Sequence, residues 1–189
     1  MNREKGPLYP EDCKPLTRLF MWHKQEASGI SDLTGLEHCT NLTFINLKFN
    51  KIRDVSPLSA LIKLEDLSLG VNQIVDISSF SSLVNLTSLD LDNNQIQDIS
   101  TLASLSRLER LYLSRNKLAD VGPLSSLTSL RTLSLSDNKI TDISPLLNNP
   151  GLGQGDSLTL TGNDLDLTPG SDDMNNIHAL EARGVVVYY

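Results

Sequence analysis

The sequence predicts an α/β solenoid: a right-handed horseshoe with a parallel β-sheet on its concave wall and tight turns or 3₁₀ segments on its convex side. Three observations lead there. Written in rows of 22, the chain aligns without a gap from Leu42 to Gly151. Within each row the apolar period is two over a few residues, the signature of a strand with one buried face. Leucine supplies 35 of the 189 residues while only nine are aromatic, so one side chain serves a repeated role. The length is that of one continuous structure at the usual ~150 residues per domain.

The strand half of each row comes first. Rows begin at Leu42, Leu64, Leu86, Leu108 and Leu130. Three residues on stand Ile45, Leu67, Leu89, Leu111 and Leu133, and two further Leu47, Leu69, Leu91, Leu113 and Leu135. Because every row runs the same way and returns to the same place, neighbouring strands must be parallel, the rest of the row being the crossover. At ~4.8 Å between strands, six or seven rows make a stack about 30 Å long. The second half, as in Ile52-Arg53-Asp54-Val55-Ser56-Pro57-Leu58, is too short and too rich in Pro and Ser for a long helix. Ile52, Val55, Leu58 and Leu61 are expected to point inward.

Two polar columns run through the rows. Asn50, Asn72, Asn94, Asn116 and Asn138, with Asn163 after the phase is recovered, stand where the backbone leaves the strand. A side-chain amide there can pair backbone groups stranded inside the coil, so these asparagines are expected to form a buried structural ladder. Asp54, Asp76, Asp98, Asp120 and Asp142 precede the turns. They are expected to accept backbone N–H groups as Asx-type caps. A line of bound cations is the alternative, but one carboxylate per row is far from the six or more oxygens calcium takes.

Both ends depart from the pattern, as the open ends of a repeat stack require. Residues 1–25 are expected to form an N-terminal cap and degenerate first strand, with the strand half at FMWHKQE, a capping segment over residues 9–16, and Phe20 and Trp22 as bulky cover. Ile30, Asp32, Leu33 and Leu36 are in phase with later rows, so the repeats are assigned to residues 26–167. After Leu147, NNPGLGQGD inserts three residues before Leu158, Leu160, Asn163 and Leu165 restore the phase. Residues 168–189 read as a C-terminal cap, a short helix with Ile177 and Leu180 inward, Gly184 as its stop, and a last strand over Val185 to Tyr188. Cys39 stands in the column of Leu61 and Leu83, where a buried thiol is expected; a bridge to Cys13 is the other possibility.

The pattern L-x-x-L-x-L-x-x-N-x-I/L is that of leucine-rich repeats. The 22-residue spacing with its Asn-x-Ile-x-Asp-Ile-Ser-Pro-Leu core resembles the Sds22-like class, found in bacterial internalins and in the phosphatase-regulating protein that names the class. LTGLEHCTNL, GLGQGDSLTLTGN and ALEARGVVV resemble the bacterial members more. The resemblance covers residues 26 to 167 and implies protein binding by the concave strand face. For an internalin-like protein it implies the cell surface or secretion, otherwise the cytoplasm.

Charge and chemistry narrow the function. A net charge of −7 argues against nucleic acid and anionic membranes, since either needs a basic face. No run approaches the ~18 apolar residues of a membrane span. The start, MNREKGPLYPEDCK, lacks the apolar centre of a secretory signal, and the chain reads equally as a mature fragment or a piece of a longer protein. Neither an enzyme nor a metal or other cofactor is expected: His23, His38 and His178 share no spacing with a nucleophile, and the two cysteines offer no metal cluster. The expected partner is a protein and the expected state a monomer. Residues facing away from the core make the candidate surface: Phe44, Asn46, Lys48, Asp66, Ser68, Asp90, Asp92, Arg110, Tyr112 and Ser134. Arg110 and Tyr112, beside Asp90 and Asp92, belong to the residue types that dominate interfaces. Phe49, Val71 and Arg115 also break the small, polar blandness of this face. Three roles are open: a recognition module, a spacer in a larger surface protein, and a regulatory subunit of a phosphatase-like enzyme.

Overall fold

The computed structural model describes residues 10–21 and 29–189. Within them, strands β1 (Arg18–Phe20), β2 (Phe44–Asn46), β3 (Asp66–Ser68), β4 (Ser88–Asp90), β5 (Arg110–Tyr112), β6 (Thr132–Ser134), β7 (Ser157–Thr159) and β8 (Val186–Tyr188) form one parallel sheet in sequence order. The register sets Leu19, Ile45, Leu67, Leu89, Leu111, Leu133, Leu158 and Val187 side by side. From Ile45 to Leu158 these central residues are wholly buried, as alternation over a one-sided core demands.

The convex side is a stack of short turns. Five-residue 3₁₀ segments cover Ser56–Ala60, Ser78–Ser82, Ser100–Ser104 and Gly122–Ser126, a shorter one Leu36–His38, and α2 (Ser144–Leu147) takes the same place in its row. Each buries one large side chain: Leu36, Leu58, Phe80, Leu102, Leu124 and Leu146. Pro57, Pro123 and Pro145 open three of them, where the missing N–H costs nothing and φ is already set. Asp54, Asp76, Asp98, Asp120 and Asp142 each accept the N–H two residues ahead at 2.7–2.8 Å, and Asp32 does the same with Thr34. At Asp32, Asp76 and Asp98 these bonds hold the carboxyl below its ordinary pKa. Ile52, Val55, Leu58 and Leu61 are buried, and each has its counterpart a row away.

The N-terminal row differs from the sequence reading. Its described strand is Arg18–Phe20, which pairs with β2 at an offset of 26 residues (Arg18 to Phe44); of the expected strand half FMWHKQE, residues 22–26 lie outside the described residues. Ile30 and Ile52 occupy equivalent places 22 apart: each donates its N–H to the asparagine ahead, Asn50 and Asn72. Four extra residues therefore fall between strand and turn, and counting back by 22 overshoots the strand. Phe20 is 55% exposed, lying on the sheet's outer face instead of covering the core end. Trp22 and His23 lie outside the described residues. Cys39 is not a free thiol: it is bridged to Cys13, both side chains are buried, and the bond ties α1 (Pro10–Cys13) to the first convex turn.

At the other end β6 and β7 pair at an offset of 25, Thr132 to Ser157, so the insertion sits between α2 and β7. Asn149, fully buried there, donates to the Leu124 and Leu127 carbonyls and accepts the Gly151 N–H. α3 (Asp172–Ala182) starts at Ser171, whose hydroxyl accepts the Met174 N–H, and buries Ile177 and Leu180. It gives way to β8 through Gly184 at φ 91°, a conformation open to residues without a Cβ.

Candidate functional site

Side chains on the sheet's outer face fall into three lines. Strand register gives the first, Arg18, Phe44, Asp66, Ser88, Arg110, Thr132, Ser157 and Val186. The second is Phe20, Asn46, Ser68, Asp90, Tyr112, Ser134, Thr159 and Tyr188. The third lies just past the strands, at Lys48, Gly70, Asp92, Ser114, Ser136 and Thr161. These lines hold all ten residues picked from the sequence as candidates, and at the N-terminal end they also hold two it missed, Arg18 and Phe20. The signal for those two was present: Leu16-x-x-Leu19-x-Met21 repeats Leu42-x-x-Ile45-x-Leu47, 26 residues upstream.

Three zones follow one another along the stack. At the N-terminal end Phe20 and Phe44 stack with ring centroids 4.7 Å apart, and the Arg18 guanidinium lies 4.2 Å from the Phe44 centroid. A cation held on an aromatic face keeps a long side chain in place at little entropic cost. In the centre, Lys48 reaches across the neighbouring row to an ion pair with Asp90. It can do so because Gly70 leaves a gap; a Cβ there would stand 2.9 Å from Asp90 Oδ1. Asp90 Oδ1 also accepts the Asp92 N–H at 3.1 Å, and Asp92 Oδ1 accepts the Ser114 N–H at 2.7 Å. The third zone is hydroxylic, with Ser114 and Ser134 oxygens 2.6 Å apart and Ser136 and Thr161 oxygens 3.0 Å apart. A groove of about 510 Å³ runs from Lys48 over Gly70, Asp90 and Asp92 to Ser114 and Thr161.

Electrostatics set the centre apart. Asp66 is pushed above the ordinary carboxylate pKa by burial, against the pull of Arg110 and Arg18. Asp92 is raised too, by burial and then by the neighbouring Asp90 charge. Arg110 does not ion-pair with Asp90: its carboxylate partner is Glu109, at 3.6 Å, while Tyr112 lies opposite Asp90 in the register. The expected patch of Arg110 and Tyr112 beside Asp90 and Asp92 is therefore an Arg/Tyr flank adjoining an acid–lysine centre.

The asparagine column lies behind this face. Asn94 Nδ2 donates to the Leu91 and Leu69 carbonyls and its Oδ1 accepts the Ile74 N–H, at 3.0–3.1 Å. Asn72, Asn116 and Asn138 repeat that set, Asn50 substitutes the Met21 carbonyl, and Asn163 closes the series on Leu135 and Leu160. The residue before each asparagine is left-handed: Phe49, Val71, Asn93, Arg115 and Asp137 have φ of 54–60°, and Gly162 has 74°. For β-branched Val71 that is a costly conformation. Since every row shares it, the strain belongs to the turn and does not mark a site.

Among the described residues no three His, Cys, Asp or Glu side chains come together to hold a metal ion, and no helix is long and apolar enough to cross a membrane. His38 lies 3.9 Å from Glu37 and His178 is exposed on α3, far apart along the chain.

Known proteins with this architecture are numerous. Leucine Rich repeats (2 copies) match residues 62–104 and 106–148, and a single Leucine Rich repeat matches residues 38–56. No curated protein sequence matches the chain. Among solved structures, an internalin (InlF) from Listeria monocytogenes is similar at 30% identity and a TM-score of 0.67 over 95% of this chain; the chain spans 57% of that protein's length. Internalin C2 from the same organism is 32% identical with a TM-score of 0.62, over 87% of this chain and 80% of its own. The functional domain of InlJ from Listeria monocytogenes, which includes a cysteine ladder, is 29% identical with a TM-score of 0.67, over 84% of this chain and 33% of its own. With its in-phase rows, its asparagine column and these internalin neighbours, the chain belongs to the leucine-rich repeat family.

Proposed function

We propose that the chain is a protein-recognition module that holds its partner on the outer, concave face of the sheet. Leucine-rich repeat domains generally mediate protein–protein interaction. The observation that carries the reading here is the contrast between one line of buried isoleucine or leucine from Ile45 to Leu158 and adjoining lines in which no two zones are alike. Side chains fixed on a hydrogen-bonded ladder are pre-organised, so little freedom is lost when a partner docks. The candidate contact residues are Phe44, Asn46, Lys48, Asp66, Ser68, Asp90, Asp92, Arg110, Tyr112 and Ser134, with Arg18 and Phe20 added. Tyr112, Arg110 and Phe44 are the anchors, being of the types that dominate interface energetics.

The test is a pull-down from the native organism's lysate and surface fraction, followed by titration of the captured protein. Tyr112→Ala weakens binding by about 1–2 kcal/mol, roughly tenfold, while the melting temperature stays unchanged. Unaltered affinity for both Tyr112→Ala and Phe44→Ala removes this face as the binding surface.

The disulfide favours an extracellular setting within this reading. A buried bridge between Cys13 and Cys39 forms and persists in an oxidising compartment. The 22-residue spacing of the rows from Leu42 to Gly151 supports the Sds22-like subclass. Co-purification of a phosphatase catalytic chain would move the assignment from surface recognition to enzyme regulation.

A further inference from the structure

The first of the three outer lines carries charges of alternating sign. Along it Arg18, Phe44, Asp66, Ser88 and Arg110 follow one another on successive strands. At ~4.8 Å per strand, the Asp66 position lies about 9.6 Å from each arginine position, with an aromatic residue in one gap and a small buried serine in the other. Among the described residues no lysine or arginine pairs with the Asp66 carboxylate: Lys48 goes to Asp90 and Arg110 to Glu109. Arg18 lies over the Phe44 ring. Burial disfavours the Asp66 charge, and Arg110 and Arg18 pull against it from a distance. A cation brought to Asp66 would supply the counter-ion that no described residue provides. Carboxylates brought to the two guanidinium groups would meet planar donors whose fork matches them.

The spacing selects the shape of the occupant as well as its charges. An extended strand returns a side chain to one face every ~6.6 Å and, started over Arg18, misses Asp66 by about 3 Å. In an α-helix laid along the stack, positions i, i+3, i+7, i+10 and i+14 share one face and fall at about 0, 4.5, 10.5, 15 and 21 Å. Each lies within about 2 Å of the corresponding strand position. We propose that this line receives an α-helix of the partner protein that presents carboxylate, cation and carboxylate one heptad apart, the cation on Asp66 and the carboxylates on Arg18 and Arg110. The i+3 side chain then lies over Phe44 and is apolar; the i+10 side chain faces Ser88, where little stands above the sheet, and is small. The inference rests on the recognition function proposed above and names the chemistry of the partner that this face takes.

Fluorescence polarisation of labelled helical peptides against the full chain at low salt tests it. The probe carries Glu-x-x-Leu-x-x-x-Lys-x-x-Ala-x-x-x-Glu, with alanine and glutamine at x; its counterpart exchanges every Glu for Lys and the Lys for Glu. The first peptide binds saturably and the exchanged one at least about tenfold more weakly. Asp66→Lys weakens the first peptide by about tenfold and restores binding to a version whose central Lys is Glu. Asp66→Asn, which removes the charge with the least change of shape, weakens the first peptide alone and leaves the melting temperature unchanged. Absence of saturable binding, equal binding of the two peptides, or no rescue of Asp66→Lys each overturns the inference. A protein captured in the pull-down separates the two levels. If its affinity falls with Tyr112→Ala and Phe44→Ala but not with Asp66→Asn, the recognition face stands and the charged helix is refuted; indifference to all three removes the face itself.

Discussion

Leu89 and Asp90 are consecutive residues of one strand, yet they belong to regions under opposite rules. Leu89 stands in a column that reads Ile45, Leu67, Leu89, Leu111, Leu133 and Leu158, buried in every row. Asp90 stands in one that reads Asn46, Ser68, Asp90, Tyr112, Ser134 and Thr159, with no residue type recurring except serine. Inside, every row must fit the row before and after it, so one solution is copied. Outside, a side chain answers only to solvent and whatever docks, so each row is free to differ. Stability is concentrated in the copied columns, and under the proposed function specificity falls to the uncopied ones.

The largest effect that would break this division is expected at Asn94. Asn94→Ala strands the buried Ile74 N–H and the Leu69 and Leu91 carbonyls. It costs about 3–5 kcal/mol in urea unfolding, at about 1–3 kcal/mol for each unsatisfied buried group. A loss below about 1 kcal/mol would mean that the ladder is not what satisfies the interior. Next comes the N-terminal tie: replacing Cys13 and Cys39 together by serine releases a loop of 26 residues and lowers stability by about 3 kcal/mol on the chain-entropy model. Equal melting curves with and without reductant would refute it.

A smaller effect of opposite sign is expected two residues from Asn94. Asp92→Asn keeps the acceptor for the Ser114 N–H but removes a charge that burial and Asp90 disfavour. A carboxyl whose folded-state pKa is raised costs stability above that pKa, and the cost is relieved as pH falls through it. The substitution therefore raises the unfolding free energy measured in urea at neutral pH, by about 0.5 kcal/mol after solvent screening, and does nothing near about pH 3. Asp76 and Asp98 run the other way: their lowered pKa values contribute stability present above the ordinary carboxylate range and lost as pH falls through it. A stabilising effect of Asp98→Ala at neutral pH would contradict the capping role. Smallest of all, Tyr112→Ala changes stability by no more than about 0.5 kcal/mol, the usual range for a surface site, and is read only in binding.

Much of the fold could be read because repetition makes each column its own control. One Leu-x-x-Leu-x-Leu is ambiguous, but five in phase leave the direction of every core side chain fixed. The outer lines follow by alternation, so the placement of Phe44, Lys48, Asp90 and Tyr112 was legible in the sequence. Reading failed where the period did. The 26-residue first row hid β1, and with it Arg18 and Phe20, because the extra residues displaced the strand but not the turn. The left-handed column was written in the sequence as Asn93, Asp137 and Gly162, yet Phe49, Val71 and Arg115 masked it.

The sequence alone determined what depends on near neighbours and on period: the parallel stack, the buried columns, the Asx turns and the asparagines beneath the sheet. Tertiary structure decided what depends on distance across rows. Lys48 takes Asp90 two strands away because Gly70 opens a path between them, Arg110 takes Glu109 instead, and Cys13 finds Cys39 once the first strand has shifted. Those pairings are set by which side chains have room to meet, a property of three-dimensional packing that no spacing along the chain encodes.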